Sequence, residues 1–400
     1  MTANKNGWTR TALIAFTAFA GLGLSSGLLG VAWPSIRDQF ALHPDSVSIL
    51  FIVNTVTYSL ASFSIGRLMS RFGSGMTLLA GAALMALCLL GIATTSLWVL
   101  VVLFSMLEGF GAGLIDAGLN LYIATYHTAQ QMNFLHACFG IGITLGPLVM
   151  TFALGHALGW QTGYATVGLI LVVVAVIFFR TRKWWQTEGF QTAENKPVVR
   201  ATFAQTLRLP TVWFSLVTYL AYVGMEIGIG QWAYTILTES RQIAPEVAGP
   251  WVSVYWGAFT GGRIFWSIIA NRFPIEKVLR FSMLGAALGA FLFWWNPVEW
   301  VGFAGLVIVG AAQAPIFPMM MAGTAQRVGN EHAENTISMQ MGAVGIGAAI
   351  LPGLIGSIGT TFGLEKMALA FVVMGIIIVV LHELIYVWRR QPVVVSTVGD

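Results

Sequence analysis

Residues 140–147 read Gly-Ile-Gly-Ile-Thr-Leu-Gly-Pro, and residues 345–352 read Gly-Ile-Gly-Ala-Ala-Ile-Leu-Pro. Each stretch lies in a long apolar run, and in each Gly-Ile-Gly is followed five positions on by proline. A second pair falls at a similar offset: Gly66-Arg67-Leu68 with Arg71-Phe72 recurs as Gly262-Arg263-Ile264 with Arg272-Phe273, the second copy being longer. In a chain with 45 glycines either match alone is within reach of chance. Two matches near half the chain length point to a duplication, the internal repeat on which membrane transporters are built, with the binding cavity between the halves.

The composition agrees. Of 400 residues, 57% are hydrophobic and 9% charged, against about 25% charged in a soluble chain; the mean hydropathy is +0.78. No water-soluble fold hides that much apolar surface, so the chain is read as an all-α protein in a lipid bilayer. A hydrocarbon core of about 30 Å needs about 20 apolar residues as helix. Spans are expected near 11–33, 47–66, 75–95, 97–122, 131–155, 161–180, 211–238, 247–269, 276–296, 299–325, 334–358 and 364–388. The first is read as a retained helix, since no small-residue cleavage site follows it. The polar stretch 181–210 then separates an N-terminal bundle, 1–180, from a C-terminal bundle, 211–400. Lysine and arginine mark cytoplasmic segments. With both termini inside, only Arg37, Arg241 and Lys366 fall outside, whereas an odd number of spans would scramble the division. The net charge of +4 is thus a topology signal, and nucleic acid is excluded as a partner. Cys88 and Cys138 sit in apolar segments and read as small core residues.

Three acids lie well within apolar spans, away from their ends: Glu108, Asp116 and Glu226. A carboxylate at mid-helix costs about 2.5–3.5 kcal/mol on insertion scales, so these groups must be protonated, paired or facing a wet cavity. A proton-coupled carrier needs the same conditions. Gly109, Gly113, Asp116 and Asn120 share one helical stripe, and small residues mark a face packed on protein; Glu108 lies about 100° away. In the seventh span Tyr222 and Glu226 stack one turn apart, followed by Gln231 and Trp232. An acid beside aromatic planes suits a sugar, and equally a cationic drug. In the fifth span Asn133, His136 and Gly140 share a face; His136 either relays a proton with Asp116 or hydrogen-bonds the next helix. Gln313 beside Pro315 and Pro318 points to a broken tenth helix with carbonyls freed toward a cavity, and Gln340 is a further candidate on the eleventh. No zinc-ligand pair, phosphate-binding loop or nucleophile elbow is present, which argues against an enzyme, a metal centre or an ATP-driven pump.

The segment Gly66-Arg67…Arg71-Phe72-Gly73 resembles the signature loop of the major facilitator superfamily. Gly66, Arg67 and Arg71, with Arg263 and Arg272 of the second copy, are then the expected gating residues. An acid is usual within that signature and Met69-Ser70 stands here, which implies an altered gating salt bridge; the alternative is that these arginines anchor the loop at the phosphate level. Gly113-Leu-Ile-Asp-Ala-Gly-Leu-Asn120, Met132-Asn-Phe-Leu-His136 through Pro147, and Tyr222-Val-Gly-Met-Glu226 through Trp232 resemble the fourth, fifth and seventh helices of its fucose–galactose–glucose:proton symporter family. The resemblance implies Asp116 as a substrate- or proton-binding carboxyl, with Asn120 and His136 on sugar hydroxyls. The fucose permease type carries a further acid in its first helix. Residues 11–33 contain none, so Glu226 or Glu108 takes that role, or the coupling differs.

The reading is a twelve-helix major facilitator fold of two pseudo-symmetric six-helix bundles in the bacterial inner membrane, with both termini cytoplasmic. It works as a monomer and symports a monosaccharide, hexose or deoxyhexose, with protons; sodium is the alternative coupling ion, and no cofactor is required. The rival function is a proton-coupled exporter of amphipathic compounds.

Overall fold

The computed structural model describes residues 9–127, 129–185, 201–269 and 272–389. The orientation markers Lys5, Lys196, Arg200 and Arg390, with much of the linker, lie outside the described residues. In lipid every backbone polar group must bond within the chain, and among the described residues only helices and short turns occur. They are α1 (Arg10–Ser26), α2 (Leu29–Gln39), α3 (Val47–Phe72), α4 (Ser74–Thr94), α5 (Trp98–Tyr126), α6 (Ala129–Gly155), α7 (Trp160–Thr181) and a short α8 (Phe203–Thr206). Then follow α9 (Pro210–Thr235), α10 (Pro245–Ile269), α11 (Ile275–Trp295), α12 (Glu299–Gln313), α13 (Ile316–Ala322), α14 (Thr324–Val328), α15 (Asn330–Phe362) and α16 (Glu365–Arg389).

Among the described residues ten stretches are long and apolar enough to cross a membrane, and α1 with α2 forms an eleventh, bent by 42°. The twelfth is α10, less apolar because it carries Arg263 and several tryptophan, tyrosine and glycine residues. The packing repeats between halves. In the first, α1 lies on α6, α3 on α5, and α4 on α5 and α7; in the second, α9 lies on α15, α10 on α12, and α11 on α12 and α16. Even the turns repeat: Gly159 and Gly363, at φ 78° and 98°, join the fifth and sixth spans of their halves. The boundaries differ from expectation in one consequential place. Helix α3 runs to Phe72, so the signature loop shrinks to Gly73 and both Arg67 and Arg71 belong to a helix. Likewise Arg263, expected at a membrane edge, lies well inside α10.

One end of the bundle carries the linker and both described chain ends: Arg10 stacks over Trp184 at 5.8 Å, and Thr206 bonds His332 at 3.0 Å. The other end carries the short loops 40–46, 95–97, 156–159, 241–244, 296–298 and 363–364. The halves meet through α6 and α10, α3 and α15, and α2 and α9. Between α6 and α10, glycine faces threonine down the seam: Gly140 on Thr260, Gly257 on Thr144, Gly249 on Thr151.

The α3–α15 seam behaves differently. At the loop end Ser48 presses on Gly353, leaving no room for a side chain there. Gly66 follows Ser48 by five helical turns and Gly342 precedes Gly353 by three, so both continue the same two faces. Neither would have an atom within 4 Å of an added Cβ. The halves therefore touch at the loop end and part toward the linker end.

The loop-end closure is also polar. The Arg37 guanidinium lies 3.1 Å from Glu239 across the halves, and Ser357 donates to Asp45 at 3.4 Å. Glu239 sits in a π turn, Ile236–Ser240, that extends α9 toward the surface.

Candidate functional site

The glycine stripe of α5 does pack on protein. Gly109 abuts the Asn54 carbonyl and Gly113 the Tyr58 carbonyl, both on α3. That close approach sets Asp116 against α3, where the Tyr58 hydroxyl donates to its Oδ2. Asn120, one turn on, donates through Nδ2 to Oδ1 at 2.9 Å and to the Asp116 carbonyl at 2.9 Å. All three side chains are half-buried. Asp116 makes no ion pair with a described residue; its partners are a phenol and an amide, both neutral.

Glu108 occupies a different place. Its Oε1 accepts from Ser25 at 2.9 Å and its Oε2 from Asn54 at 2.6 Å, so it ties α5 to α1 and α3. Asn54 also donates to the Ser105 carbonyl at 3.2 Å. The carboxyl is a cross-brace inside the first half.

In the second half Glu226 lies on α9 with Tyr222 one turn before it, the hydroxyl beside the carboxyl. Arg263 of α10 faces Glu226 electrostatically without reaching salt-bridge distance. The Tyr255 hydroxyl shares its one proton between the Glu226 carbonyl at 3.0 Å and Gln313 Oε1 at 2.9 Å. The tenth span is broken at Ala314–Pro315 as the prolines suggest. Its carbonyls do not open to a cavity, however. Gln313 O accepts from Tyr222 and Phe317 O from Tyr219, each at 3.4 Å, so two tyrosines of α9 stitch the break.

Several expected sugar contacts prove to be internal. Trp232 is fully buried and donates to the Pro352 carbonyl at 2.8 Å, so its plane is closed to a ligand. Gln340 is buried between Ser215, 2.5 Å from Nε2, and Thr324, 3.2 Å from Oε1. Gln231 and Gln313 are also enclosed, each with its Nε2 unpartnered. Tyr222 is sealed in beside Gln313.

Asn133 and His136 remain exposed on α6. The His136 ring lies edge-on to Phe19 at 5.6 Å, and its charged neighbour is Arg263 across the seam, not Asp116. Arg67, Arg71 and Arg272 are exposed at the linker end and make no ion pair with a described residue.

The sequence reading passed over Tyr58 and Asn54. Both stand one turn apart on the second span, a polar stripe in an apolar helix that marks a protein-facing side. Tyr255 and Thr260 give a similar signal on the eighth.

A family model described as Major Facilitator Superfamily matches residues 14–297 and 232–398. Bypass of stop codon protein 6 of Saccharomyces cerevisiae is 23% identical over 89% of this chain and 78% of its own. The glucose/mannose transporter GlcP of Bacillus subtilis is 22% identical over 86% and 87%. In three dimensions the chain superposes on a D-xylose–proton symporter with a TM-score of 0.75, covering 94% of this chain and 96% of that one at 14% identity.

Proposed function

Because the chain belongs to the Major Facilitator Superfamily, we propose that it is a proton-coupled symporter of a monosaccharide-sized solute, working by alternating access. The likeness to a glucose/mannose transporter supports the cargo class. The observation that carries the coupling is Asp116, a carboxyl inside a spanning helix whose partners are the neutral Tyr58 and Asn120. An unpaired charge there is costly in lipid surroundings. A bound proton removes that cost and lets the loaded carrier reorient. Asn120 then offers its amide, and Asn133 and His136 their open faces, to sugar hydroxyls.

The two bodies that rock are residues 1–180 and 211–400, joined by 181–210. With both termini in the cytoplasm of a bacterial cell, the open linker end faces the cytoplasm, and one chain suffices as the working unit. Arg263 leaves the gating set in this reading, because it faces Glu226 and His136 inside the bundle. Gating at the linker end rests with Gly66, Arg67, Arg71 and Arg272.

The test is solute-driven proton movement in proteoliposomes, read with a pH-sensitive dye over a sugar panel. A sugar should draw protons inward, and Asp116→Asn should retain counterflow exchange yet lose uphill accumulation. Full accumulation by Asp116→Asn would sink the coupling role.

A further inference from the structure

We infer that the cargo is a carboxylated sugar, a monoanion held by Arg263, and not a neutral hexose. The inference rests on the sugar-symport reading and narrows it. Arg263 is a half-buried guanidinium six residues short of the end of α10 at Ile269, and a positive charge drawn into a helical bundle is costly. Such a charge ordinarily finds an acid. Arg263 makes no ion pair within 4 Å and no hydrogen bond to a described residue, and its Nε is buried without a partner. Its guanidinium rests over the Phe259 ring at 4.3 Å, one turn earlier, which fixes the fork without satisfying it.

The surroundings favour an acceptor. Thr260, also one turn from Arg263, has a buried hydroxyl with no partner and itself fills the space that Gly140 of α6 leaves, so no acid stands on that side of the arginine. His136 opposes Arg263 from the other half and adds no negative charge. The acid that does face Arg263 is Glu226, beyond ion-pair reach and engaged by Tyr222. A neutral sugar would leave the arginine uncompensated. A carboxylate fits its two-pronged fork and supplies the missing charge.

The arrangement also says how cargo and proton are linked. Glu226 and a cargo carboxylate compete for one guanidinium. Protonating Glu226 frees Arg263 for the cargo, and the cargo in turn favours the protonated acid, a coupling that must be reciprocal. That proton balances the cargo's charge; with the one on Asp116, one anion and two protons cross together and one positive charge moves inward.

The experiment uses the full chain in proteoliposomes with labelled glucuronate, gluconate, glucose and galactose, the membrane potential being set with potassium and valinomycin. The expected result is proton-linked uptake of an acid, stimulated by an inside-negative potential, with neutral sugars competing at least about tenfold more weakly. Arg263→Gln should raise the KM for the acid at least about tenfold, and Arg263→Lys should recover part of it. The wild-type preference stands independently of whether a variant folds. Uptake of glucose with an unchanged KM in Arg263→Gln would overturn the anion inference and sustain the sugar-symport reading. Acid uptake indifferent to the membrane potential would overturn the charge balance and with it the role of Glu226. Silence from wild-type protein toward all four solutes would overturn both readings.

Discussion

Three carboxyls inside one bilayer meet three different surroundings, and the differences decide their roles. Glu108 accepts from Ser25 and Asn54 on two other helices, so it holds the first half together. Glu108→Gln keeps the shape but sets an amide donor against one of those donors, which costs about 1–3 kcal/mol. Thermal unfolding in detergent should report that loss while the accumulation ratio in proteoliposomes stays at the wild-type value. Asp116→Asn should do the reverse, leaving the melting temperature close to wild type and abolishing accumulation. The three acids were legible in the sequence, because a charge in an apolar run is conspicuous. Their partners were not. Tyr58, Asn54 and Tyr255 sit on other helices, and one sequence does not fix how each helix is rotated against its neighbours. Trp232 misled for the same reason: its indole turns to the Pro352 carbonyl in the bundle interior.

At the scale of the element, prolines and glycines carried most of the readable information. Pro315 announced the break of the tenth span, and the duplicated Gly-Ile-Gly…Pro announced matching fifth spans. The length of α3 was not foreseen, because its end is set by Gly73 at φ 82° and not by a change in hydropathy. Gly363 offers a clean test of such turns. It has open space around it, yet its φ of 98° with ψ of 147° lies where side-chain-bearing residues are strained. Gly363→Ala should therefore destabilise by about 1–3 kcal/mol from the backbone alone. Gly342→Ala, equally uncrowded but inside α15, should be neutral or stabilising by up to about 1 kcal/mol. Melting curves of the two variants side by side separate conformational strain from crowding.

For the whole molecule, the duplication and the twelve-helix plan could be read from residue order, but the state of the carrier could not. Both orientations of an alternating carrier share one sequence, and small differences in contact between the halves select the one seen. Here the loop end is held by Arg37 with Glu239, by Ser357 with Asp45, and by Ser48 against Gly353. The Arg37–Glu239 pair is mostly shielded, with side-chain exposures of 14% and 28%. Arg37→Ala should weaken closure by about 1 kcal/mol, roughly fivefold in the ratio of the two orientations. Spin labels placed at the loop end would read the change as a grown long-distance population. The swap Arg37→Glu with Glu239→Arg should restore the wild-type distribution.

The brevity of the loops at the closed end has a practical consequence. Between consecutive spans that face offers only a handful of residues, none of them forming a protruding domain. An antibody or an impermeant blocker arriving from that side meets a lid with no handle and no doorway, while the same reagent applied from the linker side finds an open throat. Inhibition should thus be sided: with the linker end cytoplasmic, as proposed, sealed right-side-out vesicles would resist a bulky inhibitor that stops inverted vesicles at once.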